Sequence, residues 1–373
     1  MRSIQVINVR WFNATAWYAL FLGKLLKQNG HPVLILALPH SPAYAKALEW
    51  GLEVRALPLN TKNPLRIISL FYSLKKIIRD FNPDVVNCHR GESFFLWPLL
   101  QSRKHPFALV RTRGDQRLPK KNLINKLLHK YLCQAVITTN TRMRDHFASE
   151  FRLEKEKLYL VPGGVDRQEF KPSPREGNKI REKFGFTREN LVLGLVGRLD
   201  RVKGQKELVQ AVARLYHREG MHNLRLLLIG FSSAINEDTA RQWIRENNLQ
   251  GICRISGPVE SPAEYISALD LGIINSKWSE TIARAALEIM ACEVPLISSS
   301  VGVMPDLLPP EALFPPDDEN ALVRTIRRFR KKENREEIRK KQSRCISGLK
   351  EEDFLSQTLD IYQKITSDRD INR

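Results

Sequence analysis

The chain of 373 residues is poor in cysteine: Cys88, Cys133, Cys253, Cys292 and Cys345 are odd in number and scattered, without a C-x-x-C pair or a histidine at zinc spacing. That excludes a disulfide framework and a cysteine-built zinc module, and fits reduced thiols. Long apolar runs are missing too. The stretch Ala14 to Leu26 is broken by Lys24, is too short to cross a bilayer and has no cleavage site, which excludes a membrane bundle. Met1 to Arg10 reads as a strand rather than an export signal, so a cytoplasmic location is expected. With 19 glycines and 20 prolines, no repeat and no low-complexity block, collagen and a disordered chain are excluded. The sole D-x-D, Asp368-Arg369-Asp370, falls in what reads as a frayed tail beyond Thr366, and neither a metal nor a cofactor is expected.

Acidic residues are scarce, 41 against 60 lysines and arginines, and the imbalance is local. Residues 1–165 hold 26 basic against 10 acidic residues, leaving only +3 of the net +19 for the rest. An anionic partner of the N-terminal half is implied: nucleic acid, an acidic membrane surface, or a phosphorylated lipid or sugar. A merely solvated surface is the alternative. No nucleic-acid-binding module is recognisable, which argues against the first of these.

What is present is alternation. Short apolar runs alternate with amphipathic stretches throughout, the pattern of parallel α/β sheets, and the length suits two domains. Strands are predicted over Ile4–Val9, Pro32–Leu38, Glu53–Leu59, Val85–Cys88, Phe107–Thr112, Ala135–Thr139 and Leu158–Val161. They resume over Leu191–Val196, Leu224–Ile229, Cys253–Ser256, Leu271–Ile274 and Pro295–Ser299. Between the two sets, Pro162-Gly163-Gly164-Val165-Asp166 and the polar stretch through Pro174 read as the connection. Two doubly wound halves of this kind present their strand ends to each other across a cleft, so function is sought in strand-to-helix loops. Arg324 to Lys350 is charged and helical in pattern. Phe354 to Ile365 is amphipathic, with Phe354, Leu355, Leu359, Tyr362 and Ile365 at helical spacing.

Two loops in the second half carry chemistry. After Leu191–Val196 comes Gly197-Arg198-Leu199-Asp200-Arg201-Val202-Lys203-Gly204, in which two cations five residues apart beside glycines make a diphosphate clamp. After Leu271–Ile274 comes Ser276-Lys277-Trp278-Ser279-Glu280, with a helix predicted from Thr281 onward. Amides at its start can hold an anion, and Glu288 further on can accept hydroxyl groups of a polyol. Read singly, each has a plainer explanation as a basic surface loop, a capping glutamate and a solvated one.

As a set, Gly197-Arg198-x4-Lys203-Gly204, Glu280-x7-Glu288, Met290-Ala291-Cys292-x-Val294-Pro295-Leu296-Ile297, Val301-Gly302-Val303-Met304-Pro305-Asp306-Leu307-Leu308 and Val161-Pro162-Gly163-Gly164-Val165-Asp166 with Phe170 resemble the family 4 retaining glycosyltransferases of the GT-B fold. The likeness is strongest over about residues 158–310. It implies an α/β chain of two Rossmann-like domains facing across a cleft: an N-terminal acceptor domain of residues 1–165, joined by the crossover helix 353–373, and a donor domain of residues 166–352. It implies that Arg198 and Lys203 neutralise the leaving diphosphate of a nucleotide-sugar, that Glu280 meets the donor sugar, that Glu288 holds the ribose, and that Gly197, Thr281, Ile282 and Ala283 complete the donor site. Fixed cations at the phosphate can take the place of a metal.

The sequence departs from the family at several points. The glycines usual after the first strand are replaced by Arg10-Trp11-Phe12-Asn13-Ala14-Thr15, where the Thr15 hydroxyl or helix amides would have to serve. Thr281 and Ile282 stand where Gly and Phe are usual, and Glu293 where Gly is. The acceptor-side histidine has no counterpart; Gly114 falls there, with Asp115 as the nearest polar substitute and His89 as a weaker one.

Arg111, Arg113 and Arg117 surround Asp115, and Lys120, Lys121, Lys126 and Lys130 follow. With Trp11, Phe12, Asn13 and Thr15 they mark the acceptor side, and basic residues among aromatics suit peripheral docking on the anionic inner-membrane surface or a phosphorylated lipid. Trp17, Tyr18 and Phe21 also read as core of the first helix. The expected activity is transfer of a sugar, with retention, to a saccharide or lipid-linked acceptor of an envelope polysaccharide such as lipopolysaccharide. Two alternatives stay open: a nucleotide-sugar epimerase or hydrolase of the same fold, and a non-catalytic binder of anionic surfaces.

Overall fold

The computed structural model describes residues 1–371, with side chains described through residue 367. The chain divides into two compact units, residues 1–163 with 351–373, and residues 164–350. The boundaries fall two residues before those predicted, at Gly163-Gly164.

In the first unit, seven parallel strands run β1 (Ser3–Ile7), β2 (Val33–Ala37), β3 (Glu53–Ala56), β4 (Val85–Cys88), β5 (Ala108–Arg113), β6 (Ala135–Thr138) and β7 (Leu158–Leu160). Their order across the sheet is β3-β2-β1-β4-β5-β6-β7. Interior strands β1, β2, β4 and β5 are buried along their whole length, as a sheet covered on both faces requires, and the edge strand β3 is not. Asparagine and serine caps start most of the helices: Asn13 accepts from Ala16 N–H, Ser41 from Tyr44 N–H and Asn140 from Met143 N–H.

The closing helix, Glu351–Ile371, continues past the point at which fraying was expected; the Asp368-Arg369-Asp370 side chains lie outside the described residues. It belongs to the first unit. Phe354 lies on Tyr18 and Phe21, with ring centroids 4.6 and 6.1 Å apart, which places Tyr18 and Phe21 in the core. The Tyr362 hydroxyl accepts from Asn87 Nδ2 at 2.8 Å.

In the second unit, β8 (Leu191–Val196), β9 (Leu224–Ile229), β10 (Cys253–Ile255), β11 (Leu271–Ile274), β12 (Leu296–Ser299) and β13 (Leu313–Phe314) form a six-stranded parallel sheet ordered β10-β9-β8-β11-β12-β13. Its core is aliphatic, and Ile326, Phe329, Ile338 and Ile346 of the charged C-terminal region are buried in it. The strand β13 has no counterpart among those predicted, because two residues leave no periodicity to read.

Candidate active site

The C-terminal sheet reverses its strand order between β8 and β11, and such a reversal leaves room for a ligand beyond the strand ends. Both motifs emerge there. The loop after β8 carries Gly197 and Arg198, then a tight turn over Arg201–Lys203 and Gly204, before the helix Gln205–His217. Asp200 builds the turn by accepting from Val202 N–H at 3.1 Å, and it takes Nε and Nη2 of Arg198 at 3.0 and 2.8 Å. The Lys203 stem runs past Gly197, where an added Cβ would sit 3.6 Å from Cε. Its ammonium is ion-paired with Glu280, and the Ser276 hydroxyl donates 2.5 Å to the same carboxylate oxygen.

Glu280 is almost sealed from solvent, and its position is over-determined. Val303 N–H donates to its carbonyl at 2.7 Å. Gly302, at φ +60, comes so near that a Cβ there would stand 1.8 Å from that same carbonyl oxygen. Gly204, at φ +66, is equally confined: a Cβ would meet Asn275 O at 2.2 Å, and Asn275 Nδ2 donates to Gly204 O at 2.8 Å. Three loops are therefore locked around one buried carboxylate and one lysine.

Glu288 lies on the helix Arg284–Ala291, buried, with Arg284 Nε 2.7 Å from Oε1. Burial pushes its carboxyl above the usual range, Arg284 opposes that, and Glu169 adds to it. The helix starts at Arg284 rather than at Thr281, because Ala283 sits at φ +52, outside helical geometry. This corrects the predicted helix start and leaves backbone amides as what these three residues can offer. Ile282 and Ala283 have buried side chains and offer a ligand only backbone, and Thr281 is half-buried. Glu293, where a glycine was usual, is held at φ +57.

The sequence reading missed Asn275, Gly230 and Phe231, and gave Ser276, within the second loop, no role of its own. Gly230 passes so close to the motif loop that a Cβ would be 2.1 Å from Gly197 O, and the next residue, Phe231, is exposed with its carbonyl accepting from Leu199 N–H at 2.8 Å. A glycine directly after the predicted strand Leu224–Ile229 was the available signal.

In the first unit the strand order reverses between β1 and β4. Trp11 is exposed in the loop after β1, Phe12 is partly covered, and Asn13 is spent as the helix cap. Thr15 is buried and donates to Gly114 O at 3.2 Å, tying this loop to the one after β5. Asp115 takes Arg90 Nη1 at 3.1 Å, Arg113 Nη1 at 3.2 Å and Arg111 Nη2 at 3.7 Å. Arg111 is wholly buried, with Nη1 donating to Cys88 O at 2.5 Å. Burial, then the neighbouring Arg113, push its guanidinium down to about 9.

Of the three arginines expected around Asp115, two are buried against it. Arg111 and Arg113 lie beneath Asp115, Arg113 Nη2 donates to Arg117 O at 2.8 Å, and only the Arg117 side chain is exposed. Asp115 is locked among cations. His89 is buried with Nε2 on Gln5 Oε1 at 2.9 Å and is pushed down to about 3 by burial and Arg111, so it is neutral and structural.

Among the described residues no group of acidic, histidine and cysteine side chains could hold a metal ion, and no helix is long and apolar enough to cross a membrane.

Residues 177–346 match the family of Glycosyl transferases group 1, and residues 15–169 match Glycosyltransferase Family 4. A D-inositol 3-phosphate glycosyltransferase of Pseudarthrobacter chlorophenolicus is 28% identical over 217 residues, 56% of this chain and 50% of that protein. The chain thus spans about half the length of the curated relatives it matches. A glycosyltransferase structure from Rickettsia africae superposes with a TM-score of 0.86 at 18% identity, covering 98% of both chains. The Anabaena protein HepE, in complex with UDP, superposes at 0.82 and 17% identity, covering 98% of this chain and 100% of that one. With both halves accounted for in order, the chain belongs to the family 4 glycosyltransferases of the GT-B fold.

Proposed function

We propose that this chain transfers a sugar, with retention of anomeric configuration, from a nucleoside-diphosphate sugar to a saccharide or lipid-linked acceptor of an envelope polysaccharide such as lipopolysaccharide. The observation that carries the reading is the locked arrangement of Lys203 and Glu280 beyond the ends of β8 and β11. When the glycosyl–phosphate bond breaks, negative charge builds on the departing diphosphate. Lys203 and Arg198 are fixed cations on the loop that would receive it, so charge neutralisation needs no metal ion. Each is held by a carboxylate of its own chain, Lys203 by Glu280 and Arg198 by Asp200. Glu280 would turn to the hydroxyls of the donor sugar when the diphosphate takes over Lys203. Glu288 would accept the ribose hydroxyls. The UDP bound by HepE supports uridine as the first nucleotide to try.

The test is donor turnover with and without acceptor. Transfer that needs an acceptor and keeps the anomeric configuration supports the proposal. Turnover of donor alone to free sugar or an epimer would favour a hydrolase or epimerase instead.

A further inference from the structure

Among the described residues, two buried side-chain oxygens have no hydrogen-bond partner, Asn8 Oδ1 and Ser93 Oγ. Both stand at one place in the first unit, where the strand order reverses: Asn8 directly follows β1, and Ser93 lies in the loop after β4. Such a reversal opens a crevice beyond the strand ends. Glu92 joins the two. It precedes Ser93 in the chain, and Asn8 Nδ2 donates to Glu92 Oε2 at 3.2 Å, to Glu92 O at 3.1 Å and to Asn60 Oδ1 at 3.0 Å. Three acceptors around Nδ2 fix which way the amide points, so the orphan atom is the oxygen. Asn8 and Ser93 are 1 and 8% exposed, whereas the Glu92 carboxylate reaches solvent. Ser93 is also strained, its backbone held at φ +58 in the left-handed region that serine rarely adopts. Strain and an unanswered polar atom together mark a position shaped for a ligand rather than for the fold alone.

The chemistry of the site identifies that ligand. Asn8 Oδ1 and an ionised Glu92 can only accept, and Ser93 Oγ can accept, so the missing partner is a hydrogen-bond donor. Burial raises the Glu92 carboxyl, but hydrogen bonds from Arg90 bring it below the ordinary value, so it is ionised at neutral pH. The neighbouring cations are already answered: Arg90 by Glu92 at 2.8 Å and Asp115 at 3.1 Å, Arg113 and Arg111 by Asp115 at 3.2 and 3.7 Å. Arg111 Nε and Nη2 and Arg113 Nε make no hydrogen bond, yet Asp115 supplies their countercharge. A phosphorylated ligand would bring further acceptors and negative charge to these carboxylates. A sugar or polyol brings hydroxyl donors and no charge. We propose that Glu92 and Ser93, backed by Asn8, bind hydroxyl groups of the acceptor and select an uncharged sugar over a phosphorylated one. This rests on the transferase reading and names its acceptor class. It sets aside the phosphorylated partner that the basic charge of the N-terminal half implied.

Saturation-transfer NMR on the full chain tests this, with UDP present to occupy the donor loops. The probes are methyl glycosides of glucose, galactose, mannose and N-acetylglucosamine, beside glucose 6-phosphate. Glu92→Gln and Ser93→Gly are compared with the wild-type chain. Both are expected to fold, since Glu92 is exposed and glycine takes φ +58 without strain; circular dichroism checks this. At least one neutral glycoside is expected to bind, glucose 6-phosphate to bind at least fivefold more weakly, and the glycoside signal to fall about fivefold or more in both variants with UDP affinity unchanged. No binding of any neutral glycoside, preference for glucose 6-phosphate, or equal glycoside signals in wild type and both variants would overturn the proposal. Donor turnover without transfer would overturn the transferase reading and leave this binding result standing.

Discussion

Arg284 Nε stands 2.7 Å from Glu288 Oε1, one helical turn away, and the carboxylate it holds is buried while the arginine itself is half-buried. Burial raises the carboxyl pKa and the arginine restrains the rise. A carboxylate that accepts hydroxyl groups must be ionised. Nucleotide affinity is therefore expected to increase as pH rises through the raised Glu288 value. In Arg284→Gln that transition should move to higher pH, and in Arg284→Lys it should return toward the wild type. Calorimetric titration of UDP across pH 4 to 8 measures this, and a pH-independent affinity would remove Glu288 from the site.

The same group shapes stability. Its folded-state value lies above the unfolded one, so the stabilisation it gives is present below the ordinary glutamate range and is lost as pH rises through the raised value. Glu288→Gln should accordingly be more stable than wild type near neutral pH and not near pH 4, as read by urea denaturation at the two values.

Lys203 serves two ends. Its removal should lower turnover by about 10²- to 10³-fold, the usual loss on deleting one charge-stabilising group. It also leaves Glu280 buried without its cation, which a purely exposed loop lysine would not do; the Ser276 bond remains. A stability loss of about 1–3 kcal/mol is expected. Lys203→Ala/Glu280→Gln should recover much of that stability and none of the activity. Parallel recovery of both would show that Lys203 acts only through folding.

The Glu293 backbone, at φ +57, pays the steric penalty of the left-handed region. Its side chain returns little, an exposed ion pair with Arg339 at 2.9 Å. Glu293→Gly is expected to stabilise the protein by about 0.5–1 kcal/mol, visible as a higher melting temperature at unchanged activity.

How much of this was legible in the sequence follows from what periodicity records. Twelve strands announced themselves, the interior ones as apolar runs because a parallel strand inside a sheet is buried on both faces, and β13 did not because two residues carry no period. The Glu280 and Lys203 loops were readable from their order in the chain. The burial of Arg111 was not legible, because a count of cations cannot distinguish a guanidinium beneath Asp115 from one in water. The exposure of Leu123, Ile124, Leu127 and Tyr131 was not legible for the converse reason. Apolar residues at helical spacing read as core, and only the packing of His129 on the other side shows which face points outward.

His89 and His129 are both held neutral, pushed down to about 3 chiefly by burial. Their folded-state values lie below the unfolded one, so the unfolded chain gains protons first as pH falls below about 6.5. Stability should decline between there and pH 3, by up to about 1.4 kcal/mol per pH unit for each histidine. His89→Gln should flatten part of this slope in acid denaturation.

The central claim is that the loops after β8 and β11 bind a nucleoside diphosphate through Lys203. Thermal unfolding with UDP, GDP, ADP and TDP tests it most directly, since a ligand bound only by the native state raises the melting temperature. A rise with one of them, absent in Lys203→Ala/Glu280→Gln, is the predicted result. No rise with any diphosphate, or an equal rise in the double variant, would contradict it.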